Sequence, residues 1–114
     1  MTIEEFIIDY LSPLITGIHV GGSVPHPMPN EFVTVEKTGS RSTDRIESAT
    51  IAVQSWSTSI ASAAALNELI KSAMAGATAL PQISRCALNS DYNHTDQATH
   101  KPRYQAVFDV VYLF

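Results

Sequence analysis

Between Phe32 and Ala75 the chain passes from strand to polar loop to strand to helix without a break, and this order constrains the fold more than any other feature. Phe32, Val33 and Val35 open a β-like segment, Phe32–Thr38, whose far half turns polar at Glu36, Lys37 and Thr38. The return segment, Ser48–Trp56, alternates: Ala49, Ile51 and Val53 fall on one face, Thr50, Ala52, Gln54 and Trp56 on the other. Between them lies Gly39–Glu47, longer than the two to five or so residues of a usual hairpin connection. Apolar roots and charged tips predict a β-arm anchored in a sheet and projecting into water.

An Ala-rich helix follows at once, predicted over Ser59–Ala75. Ser57, Thr58 and Ser59 offer oxygens for its N-cap, and Gly76 supplies a stop. Its apolar stripe reads Ala63, Leu66, Leu69, Ile70 and Ala73 with Met74 at the edge, opposite Asn67, Glu68, Lys71 and Ser72. A first helix is predicted from Ile3, Phe6, Ile7, Tyr10, Leu11 and Leu14, with Thr2 as N-cap, acids Glu4 and Glu5 in the first turn, and Pro13 and Gly17 at its end. A short strand fragment, Ile18–Val20, comes next. The alternate prolines of Val24–Pro29 then make a stiff extended connector, a duller reading preferred to a ligand for a proline-binding domain.

The last third predicts strands over Ile83–Tyr92 and Tyr104–Leu113, joined by the polar loop Asn93–Pro102. The final strand is apolar on both faces apart from Asp109, so it belongs inside a sheet or under an interface. The expected fold is therefore α+β, in the order α-β-β-β-α-β-β. It is one small domain: a mixed or antiparallel sheet with two helices packed on it and a protruding β-hairpin arm. A chain of 114 residues holds one such domain and gains from further burial by oligomerisation.

Charge and composition narrow the function. A net charge of −4 with scattered basic residues argues against a nucleic-acid-coating protein or sequence-specific reader. No apolar run approaches the ~20 residues that span a bilayer, and the N-terminus lacks a basic leader region, so no membrane partner is expected. The lone Cys86 excludes an internal disulfide and fits a reducing cytosol.

No chemical motif emerges. His94, Asp96 and His100 share one loop, which His19 or His26 could join, but they match no ligand spacing and read as solvated side chains, so no metal is expected. Asn93-His94-Thr95 is formally a glycosylation sequon without a secretory context. Cys86 lies in an alternating strand, where Arg85 points to the other face, and reads as a small hydrophobe rather than a nucleophile. Trp56 reads as an anchor between helix and sheet rather than a ligand platform. No enzyme activity, catalytic residue or cofactor is expected. The arm charges, Lys37, Arg41, Asp44, Arg45 and Glu47, read either as a solvated loop or as a subunit or tube interface. In the interface reading, mixed signs let copies meet head to tail, and the unpaired strand edges invite β-augmentation.

Several runs together carry a family resemblance. These are Gly22-Ser-Val-Pro25 with Pro27 and Pro29, Phe32-Val-Thr-Val-Glu36, a Gly/Arg/Asp loop, and Ala52-Val-Gln-Ser-Trp56 entering an Ala-rich helix. Leu88-Asn-Ser with Tyr92 and Pro102-Arg-Tyr-Gln105 complete the pattern, which covers the chain from about Gly22 to its end. It resembles the tail terminators, the small tail-completion or neck proteins of long-tailed bacteriophages and prophages. The resemblance implies a structural virion protein assembled in the host bacterial cytoplasm. It would form a homo-oligomeric, hexameric ring that caps the tail tube and meets the head-connector protein. Arg41, Asp44 and Arg45 would then contact an adjacent subunit, the tube or the channel. DNA passing through such a channel would meet an acidic protein, whose sign repels phosphate and favours sliding. The alternatives are a head-closure or connector-joining neck protein, a monomeric protein-binding module, and, last, a small enzyme built on the His94/Asp96/His100 loop.

Overall fold

The computed structural model describes residues 1–114. Two helices, α1 (Ile3–Leu11) and α2 (Ile60–Ala75), lie against a five-stranded sheet. Its strands are β1 (His19–Gly21), β2 (Phe32–Thr43), β3 (Ile46–Trp56), β4 (Ile83–Asn93) and β5 (Arg103–Tyr112), in the spatial order β1-β2-β3-β5-β4. Only β1 and β2 are parallel. The predicted α+β class and element order are those observed. The apolar final strand, β5, sits between β3 and β4, so its backbone is paired on both sides.

One face of the sheet makes the core. Val33 and Val35, Ala49, Ile51 and Val53, and Ala106, Phe108 and Val110 stand side by side across β2, β3 and β5. Ile3, Ile7 and Leu11 of α1 and Leu66, Ile70 and Met74 of α2 cover them. Helix α1 starts in a capping box: the Glu5 N–H donates to Thr2 Oγ1 at 3.1 Å, and the Thr2 N–H donates back to Glu5 Oε1 at 3.3 Å. The helix ends earlier than its periodicity predicts, so Leu14 is exposed and Ile15 takes the core position.

Helix α2 is rotated from its predicted stripe. Its buried residues are Ala63, Leu66, Asn67, Ile70 and Met74, whereas Leu69 is 57 % exposed. The physical reason lies on β4. The Asp91 carboxylate accepts from Asn67 Nδ2 at 2.9 Å and from Lys71 Nζ at 3.1 Å, which turns those polar positions toward the sheet. Gly76 ends the helix in right-handed geometry and leads into a 3-10 turn, Ala77–Ala79. A side chain there would crowd the Tyr10 hydroxyl, 3.1 Å from where its Cβ would stand, while that hydroxyl donates to the Ala73 carbonyl at 2.7 Å. This contact ties α1 to the end of α2.

The arm is a hairpin throughout; the long loop expected at Gly39–Glu47 does not form. β2 and β3 stay paired out to Thr43 and Ile46, and only Asp44 and Arg45 turn the chain. Both have positive φ, 52° and 68°, as the first and second central residues of a type I′ turn require. The sequence hides this because such turns favour Asn-Gly or Asp-Gly, not Asp-Arg. A bulge at Thr38 also breaks the alternation of β2, and the bulged hydroxyl donates to the Thr50 carbonyl at 3.4 Å.

Two stability measurements check this packing. Ile70→Ala should lower unfolding free energy by about 2–4 kcal/mol while Leu69→Ala costs less than about 0.5; the reverse order in urea titrations would restore the predicted stripe. Arg45→Gly should raise stability by roughly 0.5–1 kcal/mol by relieving the left-handed backbone.

Candidate assembly surface

Because α1 and α2 both pack on one side, the other side of the sheet carries no helix. Register places on this open face Phe32, Thr34, Glu36 and Arg41 of β2 and Ser48, Thr50, Ala52, Gln54 and Trp56 of β3. From β5 come Arg103, Gln105, Val107, Asp109 and Val111, and from β4 Arg85, Ala87, Ser90 and Tyr92.

Its proximal half is held by one chain of hydrogen bonds across four strands. Trp56 Nε1 donates to Thr34 Oγ1 at 3.0 Å, and that hydroxyl donates to Gln54 Oε1 at 2.6 Å. Gln54 Nε2 donates to Gln105 Oε1 at 2.7 Å, and Gln105 Nε2 to the Tyr92 hydroxyl at 2.6 Å. Thr34 and Gln54 are buried within this ladder, and Gly22–Val24 of the connector line the same hollow as Thr34, Gln54 and Trp56. Trp56 is buried as the sequence predicts, but not between helix and sheet. It stacks on Phe32 with ring centroids 5.1 Å apart, and the Arg103 guanidinium lies 4.6 Å above its centroid. Strand parity decides the matter: Trp56 shares its face with Gln54, opposite Ser55.

The distal half of the open face is a shallow depression of about 460 Å³. Arg41, Ser48, Val111 and Arg85 form one row across β2, β3, β5 and β4, and Gly39, Thr50, Asp109 and Ala87 form the next. The arginines stand at its two rims over a floor of small side chains, and neither makes an ion pair within the chain. Asp109 Oδ2 accepts from Asn89 Nδ2 at 3.2 Å.

The five arm charges do not form one cluster. Asp44 and Arg45 occupy the turn, Arg41 lies on the open face, and Lys37 and Glu47 lie on the helix side beyond the helices. Glu47 accepts from the Ser42 hydroxyl at 3.0 Å. Sequence reasoning did not bring Arg85 and Asp109 to the same depression as Arg41. A bulge at Ser84 lets Ile83 face the core and Arg85 the open side, against simple alternation.

The strand edges are less inviting than unpaired backbone suggests. β1 covers β2 only at Phe32–Thr34, and β4 is the opposite edge. Yet β2 bulges at Thr38 and β4 at Ser84 and Asn89, and all three side chains bond across to the adjacent strand. Bulges and charges of this kind oppose edge-to-edge pairing.

The remaining candidates have local roles. Asp96 accepts from the Thr99 N–H at 2.9 Å and the Thr99 hydroxyl at 2.6 Å, which holds its carboxyl below the ordinary value and knots the β4–β5 loop. His94 sits edge-on to Tyr92, and no three His, Cys, Asp or Glu side chains converge. Cys86 faces the core beside Val110, and burial pushes its thiol up to about 11. Arg85 does point to the opposite face. Compared with protein-family models and with curated protein sequences, the chain matches none.

Two outcomes follow. Thr34→Val removes the partner of both Trp56 Nε1 and Gln54 Oε1, and should cost about 1–3 kcal/mol in unfolding followed by the fluorescence of the sole tryptophan. The Cys86 thiol stays protonated in the folded chain above the 9.0 of a free thiol, so its contribution is intact below pH 9 and lost as pH rises toward about 11. Cys86→Ala should flatten the fall of stability across that window, measured by urea midpoints.

Proposed function

We propose that this chain is a structural subunit of a phage tail neck, a tail terminator that assembles as a ring on the tail tube and joins it to the head connector. The observation that carries the proposal is the division of one small sheet into a face closed by helices and a face left open, continued into a charged hairpin. Ala52, Thr34 and Gln54 are buried on that open face although no helix covers it, so it is a firm surface suited to contact between proteins. The chain extends 43 Å along its long axis and 26 Å across, which lets the hairpin reach past the helices toward a neighbour. The ordered resemblance from Gly22 onward supplies the biological setting, and the acidic net charge suits a ring through which DNA passes without being held.

Assembly of this kind gives a small domain the burial that it lacks alone, and closed symmetry limits its size. Bulged edges favour contacts made by side chains over a continuous intersubunit sheet. The role requires no catalytic group. The suppressed Cys86 thiol and the loop-bound Asp96 are accounted for by the fold itself.

Light scattering over a concentration series, with negative-stain images of the heaviest species and purified tail tubes added in parallel, tests this proposal. Ring-shaped hexamers, free or seated on tube ends, are expected. A chain that remains monomeric at every concentration and ignores tail tubes would contradict it.

A further inference from the structure

We infer that the depression between Arg41 and Arg85 is the seat for the hairpin tip of a second copy of this chain. The inference rests on the ring proposed above and names its seam. Arg41 and Arg85 are separated by three inter-strand spacings, about 14 Å, which admits the end of a two-stranded hairpin between them. Gly39, Ser48, Thr50 and Ala87 keep the floor low enough for entry.

Charge and polarity match on the two sides. The seat offers two unpaired guanidinium groups and, between them, the Asp109 carboxylate with Oδ1 free of any partner. The tip offers Asp44 and Arg45, both exposed and neither ion-paired within the chain, and Ile46, which is 52 % exposed. Asp44 meets the arginines, Arg45 meets Asp109, and Ile46 covers half-buried Val111. The left-handed backbone at Asp44 and Arg45 has the same implication. A glycine would relax the turn, yet the chain keeps two opposite charges at its apex. Asp109 in the floor disfavours a polyanion such as duplex DNA in the same place.

The contact is heterologous, because tip and seat are different surfaces. Repeated around an axis it closes a ring, and each copy gives one tip and receives one. Such oppositely charged pairs set register and partner choice.

Cross-linking decides it. In one chain β5 lies between the hairpin and β4, so Asp44 and Arg85 are at least two strand spacings, ~10 Å, apart, beyond the ~7 Å that a disulfide tolerates. In a Cys86→Ala background, chains carrying Asp44→Cys are mixed with chains carrying Arg85→Cys under mild oxidation, with and without tail tubes. A disulfide-linked pair is expected, and a chain bearing both substitutions should give a ladder that stops at the ring size. Arg85→Glu, an exposed change that leaves circular dichroism unaltered, should raise the concentration for half-assembly at least tenfold. Rings that form without the cross-link, or that ignore Arg85→Glu, overturn the seat and leave the ring proposal standing. No assembly by the unmodified chain in any condition overturns the ring, and the seat with it. Duplex DNA bound by the monomer and lost in Arg85→Glu would reassign the depression and overturn the seat.

Discussion

Everything else in this structure depends on burial of a single sheet face beneath two short helices. Val33, Val35, Ile51, Val53, Phe108 and Val110 leave water only because Ile7, Leu11, Leu66, Ile70 and Met74 lie over them. A chain of this size has enough apolar side chains for one main layer, and Phe32 and Trp56 are the large ones buried on the other face. Burying a leucine- or isoleucine-sized side chain stabilises by roughly 1.5–3 kcal/mol, so this layer dominates the folding free energy. The second face must then be made stable by other means.

Hydrogen bonding and aromatic stacking supply those means. The run from Trp56 through Thr34, Gln54 and Gln105 to Tyr92 satisfies buried polar groups by pairing them with one another. A ladder of this kind fixes side-chain positions, which makes the face a defined surface even without a covering layer. The distal half lacks the ladder, and there the charges of Arg41, Arg85 and Asp109 stand unengaged by ion pairs. The protein thus has three zones along one sheet: a covered core, a face satisfied by its own polar network, and a charged end whose arginines are free to bond elsewhere.

Much of this was legible in the residues. The alternation of Ala49, Ile51 and Val53 against Thr50, Ala52 and Gln54 announced a sheet with two unlike faces, and Thr2 and Glu5 announced the start of α1. What escaped was local geometry that breaks a period. Asp44-Arg45 carries no glycine to mark a type I′ turn, so the residues alone read as loop where the strands stay paired. Bulges at Thr38, Ser84 and Asn89 reset parity without any compositional sign, and the one at Ser84 concealed that Arg85 shares a row with Arg41. In helix α2 Leu69 is more apolar than Asn67, yet Asn67 is the one buried, because Asp91 on a distant strand accepts its hydrogen bond. Long-range partners of this kind cannot be read from periodicity.

The proposed ring requires the helix-free face to make contact with another protein chain. Hydroxyl-radical footprinting of the assembled and the dilute protein tests it most directly, with mass spectrometry reading individual side chains. Protection of Val107 and Val111 on assembly, with exposed Leu69 on the outer side of α2 unchanged, is the result this structure predicts. Protection of Leu69 with Val107 and Val111 still reactive would show that the helices make the interface, and would contradict the account.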